Sequence, residues 1–179
     1  MPFPLLTERL SIQPLAMGDL NSFIEYRTDP DIARFQSWDT SYSRQQAQEL
    51  IASQAGVQLP KQGDWLQLAI HDQASGQHVG DLAIHAVIEQ DDTFELGFTI
   101  AKKHQRQGFA SESVRAMIEH LSTVAAAKKV IATTDRRNLP SIKLLMGLGF
   151  VPETTKSWME EFKGEKVTVD YFEKLLREK

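Results

Sequence analysis

Apolar and polar residues alternate from Glu8 to Pro14 (Glu-Arg-Leu-Ser-Ile-Gln-Pro), the period of a half-buried strand. From Leu15 to Thr28 the spacing becomes helical. Asp29-Pro30-Asp31 then predicts a turn, because the residue before a proline avoids helical backbone. Ser43 opens a second helix as its cap, through Gln46, Ala47, Leu50 and Ile51, with Gly56 and Pro60 as its stops. Three strands follow, Trp65 to His71, His78 to Ile88 and Thr93 to Ile100. Asp72 to Gly76 and Gln90-Asp91-Asp92 are loops short enough for antiparallel hairpins. In the third strand Phe94, Leu96, Phe98 and Ile100 share one face, and Thr93, Glu95, Gly97 and Thr99 the other.

A helix follows at once, from Gly108 to Ala125. Ala110, Val114, Met117/Ile118, Leu121 and Val124/Ala125 form one apolar stripe about 27 Å long. Lys129 to Thr133 reads as a short strand. Asn138-Leu139-Pro140-Ser141 reads as a capped helix start, and Gly147 and Gly149 as its stop. The tail predicts two long strands, Phe150 to Phe162 and Lys166 to Leu176, closing a hairpin at Lys163-Gly164-Glu165. Antiparallel hairpins at both ends with helices between them indicate an α+β domain over residues 1–179, a mixed sheet covered by helices.

Composition narrows the function. The chain has 179 residues, 41% apolar and 25% charged, enough for one core that buries roughly 70% of the unfolded surface. It has no cysteine, which removes disulfides, thiolate metal sites and any enzyme-bound thioester. A net charge of −4 argues against a nucleic-acid partner held by phosphate neutralisation. The stretch from Met1 to Arg9 lacks the features of a secretory signal, and no stretch approaches the roughly 20 apolar residues of a membrane span. The expectation is a cytoplasmic protein with no membrane partner. Five histidines, at 71, 78, 85, 104 and 120, show no metal-ligand spacing, and the acidic pairs Asp91-Asp92 and Glu160-Glu161 read as solvated turns, so no metal is expected.

The most informative stretch is Gln105-Arg106-Gln107-Gly108-Phe109-Ala110, continued by Ser111, a polar loop with one glycine that joins a strand directly to a helix. The first turn of a helix presents unpaired N–H groups and about half a positive charge, which suits phosphate oxygens. Gly108 would let the backbone approach a pyrophosphate, and Arg106 or Lys102/Lys103 could add positive charge. An ordinary helix start has the same pattern. Neither Gly-x-x-x-x-Gly-Lys-Ser/Thr, Gly-x-Gly-x-x-Gly after a strand, nor Gly-x-Ser-x-Gly is present.

Gln105-x-x-Gly108-x-Ala110 after a strand, with Asn138-x-x-Ser141 and Leu148-Gly149-Phe150 downstream, resembles the GCN5-related N-acetyltransferases (GNAT). Leu6-Thr7-Glu8-Arg9-Leu10 and Leu96-Gly97-Phe98 resemble the branch of the ribosomal-protein-alanine N-acetyltransferases (RimJ/RimL-like). The resemblance spans nearly the whole chain. It implies a mostly antiparallel twisted sheet with one splayed parallel pair and helices on both faces. It also implies acetyl-CoA as cosubstrate and direct transfer to an amine, with no covalent enzyme intermediate.

The same resemblance assigns the residues. The backbone around Gln105, Arg106, Gln107, Gly108, Phe109, Ala110 and Ser111 grips pyrophosphate. Phe98 and Ile100 offer backbone groups to pantetheine where two strands splay, and Asn138 contacts the pantetheine amides or serves only as a helix cap. A free amine with a pKa near 10 is mostly protonated at neutral pH, so the site needs a proton acceptor. Glu95 is the candidate, directly or through water, although a solvated Glu on a strand face would look the same. The family's usual tyrosine falls seven residues after Asn138, where this chain has Leu145, so Ser141 becomes the candidate for meeting the sulfur. Its plainer role is to satisfy a first-turn amide. Trp38 and Tyr171, with Trp158 and Asp170, are candidate acceptor contacts or simply core and surface. The acceptor is a protein N-terminal amine or a small amine, and a monomer and a homodimer are equally open. A non-catalytic acyl-CoA-binding module is the alternative that the missing tyrosine suggests.

Overall fold

A computed structural model describes residues 3–88, 90 and 92–176. Met1, Pro2 and Asp91, which entered the expectations above, lie outside the described residues. The elements in chain order are β1 (Leu5–Leu6), β2 (Leu10–Pro14), α1 (Leu20–Arg27), α2 (Pro30–Ala33), α3 (Arg44–Ser53), β3 (Trp65–Asp72), β4 (His78–Ala86), β5 (Thr93–Ile100), α4 (Phe109–Val124), β6 (Lys129–Asp135), α5 (Leu139–Gly147), β7 (Val151–Pro152), β8 (Trp158–Phe162) and β9 (Glu165–Leu175). Their order in the sheet is β1-β2-β3-β4-β5-β6-β9-β7, with β8 also on β9. Every pairing is antiparallel except β5 with β6.

Each face of the sheet has its own core. On one side Leu66, Leu68 and Ile70 of β3, Leu82 and Ile84 of β4, and Phe94, Leu96 and Ile100 of β5 meet Phe109, Val114, Met117, Ile118 and Leu121 of α4. On the other, Ala69 and Ala101 lie under Leu20, Phe23 and Tyr26 of α1, Ile32 of α2, and Ala47 and Ile51 of α3. Helices therefore cover both faces of a mostly antiparallel sheet that contains one parallel pair, as the resemblance implied.

Three local expectations are corrected. The helix expected from Leu15 begins only at Leu20, after a 3-10 turn at Met17–Asp19 in which the Asp19 carboxylate accepts from the Ala16 N–H at 2.9 Å. Asp29-Pro30-Asp31 is a helix start rather than a plain turn, because Asp29 caps the Asp31 N–H and proline is tolerated in a first turn. The long strand expected from Phe150 to Phe162 is split into β7 and β8. Pro152 has no N–H to donate, and the Glu153 carboxylate captures the N–H and hydroxyl of Thr155 to start a 3-10 turn at Thr154–Lys156.

Candidate active site

The parallel pairing of β5 with β6 covers only Thr93↔Lys129, Phe94↔Val130 and Glu95↔Ile131. Beyond Glu95 the strands part, and a cleft of about 510 Å³ opens, within the usual size range of small-molecule sites. Its walls are 96–100 of β5, 132–134 of β6, the loop and first turn of α4, α5 from its start, and residues of α2 and the segment after it, Asp31, Ile32, Phe35 and Gln36. Odd-numbered residues of β5 turn their backbone groups to β4: at its start the Thr93 carbonyl accepts from Val87, and just past its end the odd residue Ala101 donates to Val79. Phe98 and Ile100 therefore aim theirs at the gap where β6 has departed. The Ile100 carbonyl is already taken by Gln105 Nε2 at 2.9 Å, which leaves the Ile100 N–H and both groups of Phe98.

At the mouth of the cleft the chain takes two left-handed residues, Arg106 at φ 62° and Gly108 at φ 83°, before α4 begins. The first amide of this segment bonded back to the helix is that of Glu112, to the Gly108 carbonyl at 3.0 Å. Among the described residues the N–H groups of Gly108, Phe109, Ala110 and Ser111 have no protein acceptor, and all four residues line the cleft. Arg106 lines it too and has no ion-pair partner among the described residues. Lys102 and Lys103 are engaged elsewhere, with Asp31 and Glu25. Gln105 is on the wall and Gln107 is not.

The clearance at Gly108 lies on an unexpected side. A Cβ there would meet Arg9 Nη2 at 3.2 Å, behind the loop, rather than anything in the cleft. The left-handed turn and the nearness of Arg9 both favour glycine here.

On α5 the Asn138 side chain accepts from the Ser141 N–H at 3.3 Å, so the cap function belongs to Asn138. The Ser141 hydroxyl lines the cleft and has no partner among the described residues. Leu145, where the family's tyrosine was expected, is buried on the same wall.

Glu95 stands at the apex where the strands separate and is not on the cleft wall. Its carboxylate accepts from Thr133 Oγ1 at 2.9 Å and lies 3.4 Å from His85 Nδ1. His85 stacks on Trp65 with ring centroids 4.7 Å apart. Register continues the row: Trp65↔His85, His85↔Glu95 and Thr133↔Tyr171 are opposed pairs, so Trp65, His85, Glu95, Thr133 and Tyr171 share one sheet face. Burial holds the Tyr171 phenol above its ordinary range. The ammonium of Lys156, 4.8 Å from the ring, works against that, while the Glu173 and Glu95 carboxylates add to it.

Trp38 and Asp170 have other work. The Trp38 indole N–H donates to the Arg27 carbonyl at 3.1 Å and its ring lies 3.8 Å from the Arg27 guanidinium, which Phe23 and Tyr42 also flank. Asp170 accepts two hydrogen bonds from Arg136 Nε and one from Nη2. Trp158 donates to Glu160 at 2.8 Å. His85 and Thr133, the partners of Glu95, went unnoticed in the sequence, as did the contacts of Thr7 and Arg9 with Glu112. Only the strand register reveals the first pair, and nothing local points to the second.

Residues 9–151 match the model of the acetyltransferase (GNAT) domain, so the chain belongs to that family of N-acetyltransferases. It is similar to the uncharacterized N-acetyltransferase p20 of Bacillus licheniformis, 26% identical over 174 residues and 97% of each chain. Among solved structures, spermidine N-acetyltransferase from Vibrio cholerae in complex with CoA and spermine has a TM-score of 0.80 at 20% identity, covering 94% of this chain and 96% of that one. RimL, a ribosomal L7/L12 alpha-N-protein acetyltransferase in complex with coenzyme A, has a TM-score of 0.79 at 14% identity, covering 98% of both chains. Among the described residues no helix is long and apolar enough to cross a membrane, and no group of three His, Asp or Glu side chains is placed to hold a metal ion.

Proposed function

We propose that the chain transfers an acetyl group from acetyl-CoA directly to a primary amine. The observation that carries this is the opening of β5 from β6 after Glu95, with four free amides of α4 on the cleft wall and Glu95, itself off the wall, at the apex where the strands part. In this reading the N–H groups of Gly108 to Ser111 and the charge of Arg106 hold the pyrophosphate. Phe98 and Ile100 offer their free backbone groups to the pantetheine arm as a missing strand would. Acetyl-CoA supplies the thioester carbonyl that the amine attacks. Glu95, fixed by Thr133, takes the amine's proton directly or through one water. The Ser141 hydroxyl, unpartnered in the cleft, donates toward the departing sulfur in place of the tyrosine that Leu145 replaces.

The acceptor enters over the row Trp65, His85, Glu95, Thr133 and Tyr171. The two CoA-bound structures of matching fold act, by their names, on a polyamine and on a protein α-amine, and both acceptor classes fit a carboxylate flanked by aromatic rings. The first test is thermal unfolding with acetyl-CoA, using ATP and NAD as controls. A ligand at about 100 times its dissociation constant adds about 2.7 kcal/mol, a rise of about 5–10 °C at this size. Thiol release with spermidine and with peptides bearing a free N-terminus then identifies the acceptor. No rise with acetyl-CoA would refute the reading.

A further inference from the structure

Two segments that sequence keeps far apart meet behind the phosphate loop. Glu112, in the first turn of α4, points its carboxylate at the chain just before β2. Oε1 accepts from Thr7 Oγ1 at 2.5 Å and from the Arg9 N–H at 2.9 Å, and Oε2 accepts from Arg9 Nε at 2.7 Å, with Nη2 at 2.6 Å. Arg9 Nη1 goes further and donates to the Gln107 carbonyl at 3.0 Å. The guanidinium lies 5.0 Å from the Phe109 ring centroid. One side chain thus grips the helix carboxylate, a loop carbonyl and the first aromatic residue of α4.

Two consequences follow from elementary chemistry. The peptide joining Gln107 to Gly108 is planar and trans, so its C=O and N–H point in opposite directions. With the carbonyl held toward Arg9, the Gly108 N–H is turned away from it. Gly108 is on the cleft wall, whereas Gln107 and Arg9 are not. The second consequence is electrostatic. A carboxylate in the first turn opposes the affinity of a helix N-terminus for phosphate, and burial adds a cost that only its hydrogen bonds outweigh; those bonds keep Glu112 ionised, below the usual carboxylate range. Arg9 cancels that charge with a two-pronged contact.

We propose that Arg9 is a positioning residue for coenzyme A: it sets the Gln107–Gly108 peptide so that the Gly108 amide faces the pyrophosphate, and it neutralises Glu112 beside that site. The proposal rests on the reading that the first turn of α4 holds the phosphates. It goes beyond that reading by assigning the preorganisation of the loop to a side chain outside the cleft. Lysine cannot replace it, since a single ammonium cannot span the Glu112 carboxylate and the Gln107 carbonyl with the same fork.

The test is calorimetric titration with coenzyme A, which needs no acceptor, set beside NMR titration with S-acetylpantetheine, which lacks the nucleotide and its phosphates. For Arg9→Ala the expected result is a loss of about 10–100-fold in affinity for coenzyme A. Affinity for S-acetylpantetheine should stay within about twofold, as it makes no phosphate contacts. Arg9→Lys, which retains the charge and guards against a fold defect, should lose about 5–10-fold on coenzyme A alone. Adding Glu112→Gln to Arg9→Ala should restore part of the loss, the part due to the unpaired carboxylate. Coenzyme A binding unchanged in Arg9→Ala, or equal losses for both ligands, would overturn the proposal while leaving the cofactor site intact. Failure of the unaltered protein to bind coenzyme A would remove the underlying reading and the proposal with it.

Discussion

Gly108→Ala tests the backbone requirement for glycine. A residue with a Cβ in left-handed backbone costs about 1–2 kcal/mol, and the reduced freedom of the unfolded chain returns about 0.4–1 kcal/mol of that. The new Cβ would also stand 3.2 Å from Arg9 Nη2. That guanidinium is held by Glu112 and the Gln107 carbonyl and has little room to yield. The two backbone contributions net about 0–1.6 kcal/mol and the tight contact raises the cost to about 1–2 kcal/mol, which for a chain of this length lowers the unfolding midpoint by about 2–8 °C. Asparagine tolerates the left-handed region better, so Gly108→Asn should melt between the native protein and the alanine variant. Circular dichroism melts without ligand read both. An alanine variant that melts within about 1 °C of the native protein, or an asparagine variant below alanine, would refute the reasoning.

Glu95→Gln should lower kcat by about 100-fold or more with little change in acetyl-CoA affinity, as expected for loss of a proton acceptor, and unchanged turnover would remove Glu95 from the mechanism. Ser141→Ala should lower kcat more than it weakens acetyl-CoA binding; steady-state kinetics with equal values for variant and native protein would retire that role. Tyr26→Phe deletes a buried hydrogen bond of 2.7 Å to Asp81, whose carboxylate, after burial itself, helps hold the phenol protonated well above its usual range. A loss of about 1.5–3 kcal/mol is expected in denaturant unfolding, and a loss below about 0.5 kcal/mol would contradict it. Stability should also fall in two steps with acid. Burial holds His78, His104 and His120 below the ordinary 6.5, so the native state binds fewer protons than the unfolded one; their contribution is complete above about pH 6.5 and is lost as pH falls through the lower native values. Hydrogen bonds from Arg137 and Arg136 hold Asp135 and Asp170 below 3.8, so their share is lost only at more acid pH. Unfolding midpoints that do not change between pH 8 and pH 5 would contradict the first step, which starts from that ordinary histidine value.

The features legible in the sequence are those whose chemistry is local. A strand running through a polar loop into a helix, and Asn138 with Pro140 at a helix start, announce the cleft because caps and first turns are decided within four or five residues. The alternation in β5 likewise put Phe94, Leu96, Phe98 and Ile100 on one face, the one α4 covers, and Glu95 on the other. The rest depends on register and on distant partners. Arg9 and Glu112 are 103 positions apart, and a Glu in a first turn is ordinary until Arg9 is seen beside it. His85 becomes a partner of Glu95 only once β4 and β5 are paired in that register. The stacking of Trp38 on Arg27, 11 positions away, shows only once the fold is in place. The broken tail hairpin turned on the carboxylate of Glu153 competing for the Thr155 amide, which the apolar pattern does not encode.

The most direct test of the cofactor site is an amide-resolved NMR titration with acetyl-CoA. The cleft between β5 and β6 predicts the largest shifts at the N–H groups of Gly108, Phe109, Ala110 and Ser111, with a second set at Phe98 and Ile100. Shifts that leave these amides unmoved, or that cluster on another face of the sheet, would contradict the assignment of this cleft to the cofactor.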